Sequence, residues 1–124
     1  MRKLNTFQRN NLFTGTHLAV EVPALSSDLR AFVVVGAYVQ NQTKLSKPAR
    51  SLHVSQENLR FWLRRYEVKR HDLEIDKDIT ETDLLHNIHV RDIQTIEELE
   101  YILGKYVQDF SKMEVSWKVA NPLP

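Results

Sequence analysis

The reading of the fold turns on residues 49–68, ARSLHVSQENLRFWLRRYEV, which hold a small-residue start, a Val-Ser break and a run of arginines around one tryptophan. Leu59, Trp62, Leu63 and Tyr66 stand at offsets of zero, three, four and seven, the spacing that gathers apolar side chains on one face of an α-helix. Ser55 is placed to cap such a helix, because its hydroxyl oxygen can accept a backbone N–H that the first turn leaves unpaired. The pattern predicts a helix over 56–69. Upstream, Lys47 and Pro48 can open a shorter helix, since the first turn tolerates a residue without an N–H. Ala49, Leu52 and Val54 then supply the small and apolar residues that let a first helix and a turn pack beneath a second. The sequence thus predicts a helix-turn-helix over residues 47–69.

On the outward face of that second helix stand Ser55, Gln56, Glu57, Arg60, Phe61 and Arg64. Their types can meet base edges in a major groove: arginine pairs with guanine, glutamine with adenine, glutamate with the cytosine amino group, and an aromatic ring with the thymine methyl. Arg65 and Lys69 fall where phosphates would be met. Residues 41–66, NQTKLSKPARSLHVSQENLRFWLRRY, resemble the Fis-type helix-turn-helix of nucleoid-associated proteins and enhancer-binding regulators. The run NLRFWLRRY is similar to that family's pattern of Thr-Leu-Arg, two variable residues, Leu and two basic residues before Tyr. The resemblance covers about a fifth of the chain, and His53 stands where the family usually has glycine. It implies that Arg60 faces the bases, that Arg64 and Arg65 contact the backbone, that Tyr66 packs inside, and that the partner is double-stranded DNA.

Working outward, HLAVEV alternates Leu18, Val20 and Val22 against Ala19 and Glu21 and is followed by Pro23, which predicts a strand ending near Val22. Residues 29–40 are ambiguous. Leu29, Phe32, Val33, Gly36 and Ala37 have helical spacing while the Val33–Val35 run favours a strand, and we read them as helix. Thr95 and Glu98 form a capping-box pattern ahead of a stripe of Ile96, Leu99, Ile102 or Leu103, Tyr106 and Phe110, which predicts a helix over 95–110 and a natural dimer element. NIHVRDI (87–93) and MEVSWKV (113–119) read as strands. The resulting fold class is α+β: one small domain with a central helix-turn-helix, a long amphipathic helix near the C-terminus and a few short strands.

The 124 residues suit a single domain, 1–124, able to bury roughly two-thirds of the surface of the unfolded chain. Hydrophobic residues at 42% and charged residues at 27% are ordinary for a globular protein, and no apolar run approaches the ~20 residues of a membrane-spanning helix. No leader or lipidation motif is legible at the amino end. The absence of cysteine excludes disulfides and suits a reducing cytoplasm.

The net charge of +1 hides a division. Residues 1–71 carry twelve Lys and Arg against four Asp and Glu, and residues 72–124 carry five against twelve, balances of +8 and −7. A basic half of this kind attracts phosphates, while the acidic half is available for dimerisation or a partner. The acidic residues concentrate in DLEIDKDITETDLL, as Asp72, Glu74, Asp76, Asp78, Glu81 and Asp83. That run lacks the central glycine and final glutamate of a calcium loop. His86 and His89 have a ligand-like spacing but no evident third ligand, and neither a phosphate-cradling glycine loop nor a nucleophile-base set is present. The sequence therefore predicts a non-enzyme without metal or cofactor. The first expectation is a small, cytoplasmic, homodimeric, sequence-specific DNA-binding regulator of transcription. The alternative is a toxin immunity protein whose acidic half captures a basic protein such as a nuclease.

Overall fold

The computed structural model describes residues 3–39, 59–75 and 77–119. In chain order these form helix α1 (Thr6–Phe13), strands β1 (Leu18–Val22), β2 (Leu29–Val39) and β3 (Leu59–Lys69), helix α2 (Arg70–Glu74), strand β4 (Leu85–Ile93), helix α3 (Ile96–Leu103) and the two-residue strand β5 (Glu114–Val115). The strands make one sheet in the order β4-β3-β2-β1-β5, with every neighbouring pair antiparallel. The first four strands form a meander, and β5 adds to the free side of β1.

This architecture overturns the predicted fold class. The stretch that sequence spacing assigned to a recognition helix is β3, and it pairs with β2 along its whole length, from Leu29 opposite Lys69 to Val39 opposite Leu59. On its other side it pairs with β4. Its backbone hydrogen bonds therefore go to two neighbouring strands rather than to itself. Side chains alternate between the faces of a strand, so Leu59, Phe61 and Leu63 enter one core while Tyr66 and Val68 enter another on the opposite face. The apolar positions change parity between Leu63 and Tyr66, and that three-residue step imitates helical spacing. The predicted first helix, with Ala49, Leu52 and Val54, and the cap Ser55 with Gln56 and Glu57, lie outside the described residues.

Residues 29–40, read as helix, contain β2 instead. From Ala31 to Ala37 it is buried without interruption on both faces, which is why the strand reads as a continuous apolar run with no alternation. The larger core lies between one sheet face and a layer made of α1, α3 and residues 107–113, with Leu12, Leu18, Val35, Leu63, Leu99 and Leu103 fully buried. Each such side chain contributes ~1.5–3 kcal/mol relative to exposure. The smaller core lies on the second face, where Trp62, Leu73 of α2, Ile79, Leu84 and Val119 pack on Ala19, Phe32, Val34, Tyr66 and Val68.

Helix α3 starts where the sequence predicts, with the Thr95 hydroxyl accepting the Glu98 N–H at 3.0 Å, although the Glu98 carboxylate takes the N–H of Gln94. It ends at Leu103 rather than 110. Gly104 occupies the C-cap, and the N–H groups of Tyr106 and Val107 both turn back to the Leu103 carbonyl. Ile96, Leu99 and Leu103 pack on the sheet, so the stripe offered for dimerisation is part of the chain's own core. The strand predicted near the carboxyl end is reduced to Glu114–Val115, paired with Leu18 and Ala19, and a 3-10 turn over Ser116–Lys118 follows.

Two buried polar side chains join the layer above the sheet. Gln8 forms a reciprocal capping box with Asn5 and sends its amide N–H groups to the carbonyls of Phe110 and Met113, at 2.7 and 3.0 Å. Glu100 accepts the Leu4 N–H at 2.7 Å and both oxygens meet the Arg9 guanidinium. The amino-terminal helix is thereby fixed to α3 and to the carboxyl-terminal segment.

Candidate functional site

Among the described residues α1 and α3 cover one face of the sheet, and on the other the smaller core, with Leu73 of α2, Ile79, Leu84 and Val119, lies against Trp62, next to which the strands present their alternate residues. On β3 these are Arg60, Trp62 and Arg64, and on β2 they are Gly36 and Tyr38, with Gly36 opposite Trp62 and Tyr38 opposite Arg60. Trp62, Arg60, Arg64 and Tyr38 are half-buried. A Cβ built on Gly36 would stand 2.6–2.7 Å from Cζ2, Cε2 and Nε1 of Trp62, so the indole rests directly against the backbone of β2. Only glycine allows that approach. Two imidazoles flank the indole in edge-on geometry, His17 with ring centroids 4.9 Å apart and His89 at 6.1 Å. Burial lowers the His17 pKa and favours its neutral form.

Strand β4 contributes through two bulges. Leu63 pairs with Val90 and Phe61 with Ile93, so Arg91 and Asp92 together stand opposite Trp62. Likewise Arg65 pairs with Ile88 and Glu67 with Leu85, leaving His86 and Asn87 opposite Tyr66. Each bulge holds a non-glycine residue in left-handed backbone, Asp92 at φ 57° and His86 at φ 50°. Bulges of this kind re-aim side chains. Here Asp92 reaches onto the open face and accepts the hydroxyl proton of Tyr38, whose pKa is raised by burial and by that carboxylate. Asn87 accepts from Arg64 Nε at 3.2 Å, and Arg60 donates to its neighbouring carbonyl, Leu59, at 2.9 Å. The result is a face with an indole, arginines on either side of it along β3, and polar groups supplied by β4.

The structure brings only part of the predicted DNA-binding set together. Arg60 and Arg64 share the open face. Phe61 points the other way into the main core, where it is 2% exposed. Arg65 also faces away from them and donates to Glu67 at 3.0 Å, while Lys69 is exposed at the end of β3. Glu67 is fully buried, also accepts the Leu25 N–H at 2.9 Å, and has its other oxygen 3.6 Å from His86 Nε2. His86 and His89, three residues apart, therefore serve different neighbours, Glu67 and Trp62, where a helix would have put them on one face.

The acidic run is partly internal in its pairing. Lys77 lies 3.0 Å from Asp83 and 3.9 Å from Asp72, and Asp83 also accepts the backbone N–H and the hydroxyl of Thr80. These contacts, led by the Thr80 N–H, bring the Asp83 pKa down to about 2. Glu74 and Asp78 are exposed, Glu81 opens the short 3-10 turn with Asp83, and Asp76 lies outside the described residues. Among the described residues no helix is long and apolar enough to cross a membrane.

Sequence reasoning missed Tyr38, Asp92 and Gly36 as parts of a site and assigned Trp62 to a helix core. The available signal was the alternation Arg-x-Trp-x-Arg, which has the period of a strand. Comparison of the chain with protein-family models, with curated proteins and with solved structures finds no match.

Proposed function

We propose that the chain binds single-stranded nucleic acid on the open sheet face, stacking a base on Trp62 and meeting phosphates with Arg60 and Arg64. The observation that carries this reading is the indole seated on Gly36 between two arginines at alternate positions of one strand. Aromatic side chains presented on a sheet stack unpaired bases, each worth ~1–3 kcal/mol, and neighbouring cations track the backbone without regard to sequence. Alternate residues of β3 lie about 6.8 Å apart, so the arginines flank whatever stacks on the indole. A sheet face suits splayed bases, whereas a duplex major groove is read by an inserted helix or two-stranded ribbon. The basic half of the chain supplies the attracting field. The rival reading, capture of a basic protein by the acidic run, has less support because Asp72 and Asp83 are already engaged by Lys77.

Fluorescence anisotropy with labelled single strands and the matching duplex, over about 50–200 mM salt, tests the proposal. Single strands are expected to bind more tightly than duplex, and neutralisation of two phosphates gives a log-log salt slope of about −1.4. Trp62→Ala should weaken single-strand binding about 5- to 150-fold with the sheet intact by circular dichroism. An absence of binding at low salt, or a folded Trp62→Ala variant that binds as tightly as the unaltered protein, overturns the reading.

A further inference from the structure

We infer that the open face selects guanine at the nucleotide stacked on Trp62, with Asp92 as the residue that reads it, an inference that rests on the single-strand reading above. A carboxylate on a face that meets phosphates opposes binding through like-charge repulsion unless the ligand brings it a donor, and the Tyr38 hydroxyl engages only one of its oxygens. Asp92 is on this face by construction. A bulge places it opposite Trp62, a left-handed backbone at φ 57° supports the bulge, and the Tyr38 hydroxyl grips Oδ1 from across β3. Aspartate is among the few residues that accept such a backbone without severe strain. Asp92 is exposed, and its second oxygen, Oδ2, has no hydrogen-bond partner among the described residues.

Phosphates and their ester oxygens only accept, so the donor comes from a base edge or a ribose 2′-hydroxyl, and of these only a base edge distinguishes one nucleotide from another. Adenine and cytosine each offer one amino group, and uracil offers a single N–H set between two carbonyls that repel a carboxylate. Guanine offers N1–H and the N2 amino group side by side, the pair of parallel donors that a carboxylate receives best. Unstacked bases present this edge to protein side chains. Tyr38 acts as a positioning residue, holding the carboxylate in place on the face that Trp62 shares.

The test uses the whole chain and uridine-rich single strands that differ only in one central nucleotide: guanosine, adenosine, cytidine, uridine or inosine. The guanosine strand should bind at least about tenfold more tightly than the uridine strand, the effect of one charge-assisted hydrogen bond. Inosine, which keeps N1–H and lacks the amino group, should lose much of that advantage. Asp92→Asn should collapse the guanosine-to-uridine ratio, and Tyr38→Phe should reduce it in part. If all strands bind alike while Trp62→Ala still weakens every one of them, the guanine inference falls and the single-strand reading stands. If Asp92→Asn keeps the full guanosine preference, Asp92 is not the reader. Absence of binding to any strand at low salt removes both.

Discussion

Gly36→Ala places one methyl group where the indole of Trp62 already lies, and the sign of its effect tests the construction of the open face. The new Cβ would be 2.6–2.7 Å from three indole atoms, against an optimum of about 3.5–4.0 Å for carbon contacts. Close to 1 Å must be recovered by moving the indole outward or by parting β2 from β3. Overpacking of this kind costs ~1–3 kcal/mol. Gly36 is not among the residues with positive φ, so alanine is allowed by the backbone and restricts the unfolded chain, a gain of ~0.4–1 kcal/mol. The clash exceeds the gain, and the expected net loss is about 1–2 kcal/mol. Urea denaturation measures it, and intrinsic fluorescence in a Trp117→Phe background reports the Trp62 environment alone. The emission should move to longer wavelength, and single-strand affinity should fall with it. If Gly36→Ala is as stable as the parent or more so, with Trp62 emission unchanged, the indole does not rest on β2 and the reasoning fails.

The remaining predictions concern the supports of the fold and its titrating groups. Gln8→Ala leaves the carbonyls of Phe110 and Met113 without their amide donors and should lower stability by ~1–3 kcal/mol in chemical denaturation; a change below about 0.5 would count against that role. Glu100→Ala strands the Leu4 N–H and Arg9 and should cost a similar ~1–3 kcal/mol by the same measurement. Asp83, with its pKa brought down from 3.8 to about 2, gives stabilisation that is complete above its unfolded value and is lost as pH falls through about 2. A carboxyl titration by NMR should find that midpoint, and Lys77→Ala should raise it. His17 has its pKa lowered by burial, so its contribution to stability is present above the ordinary value of 6.5 and is lost as pH falls below it. Its imidazole should titrate below 6.5 in NMR spectra and move toward that value in Trp62→Ala.

Elements that depend on local chemistry were legible in the sequence. Strand β1 follows from alternation closed by Pro23, β4 contains the run NIHVRDI, and the Thr95 cap marks the start of α3. The end of α3 was also written, as Gly104 after Leu103, but the continuing apolar stripe masked it. Strands β2 and β3 were misread for a reason rooted in packing. Both pass between two cores on opposite faces, so neither shows the period-two pattern of a half-buried strand. The arginines were found nevertheless because a spacing of four puts Arg60 and Arg64 on one face at either period. The same argument fails for their neighbours: a helix gathers Arg60, Phe61, Arg64 and Arg65 in one arc, whereas a strand separates Phe61 and Arg65 from the others. The bond between Tyr38 and Asp92 joins residues 54 apart in sequence, and nothing local announces it.

The two bulges of β4 carry a consequence for how copies of the chain meet. Among the described strands β4 ends the sheet, and a terminal strand exposes a row of unpaired N–H and carbonyl groups onto which another strand could add. Left-handed residues at His86 and Asp92 break that row, so the straight stretch between the bulges is only Ile88 to Val90. An incoming strand would find about three residues in register before the backbone turns away, too few against a usual five or six for a stable strand. Removing one residue from each bulge would straighten β4 into a continuous edge and open the sheet to growth by strand addition. The kink that aims a carboxylate at the open face thus also shields the molecule from fibre-like association.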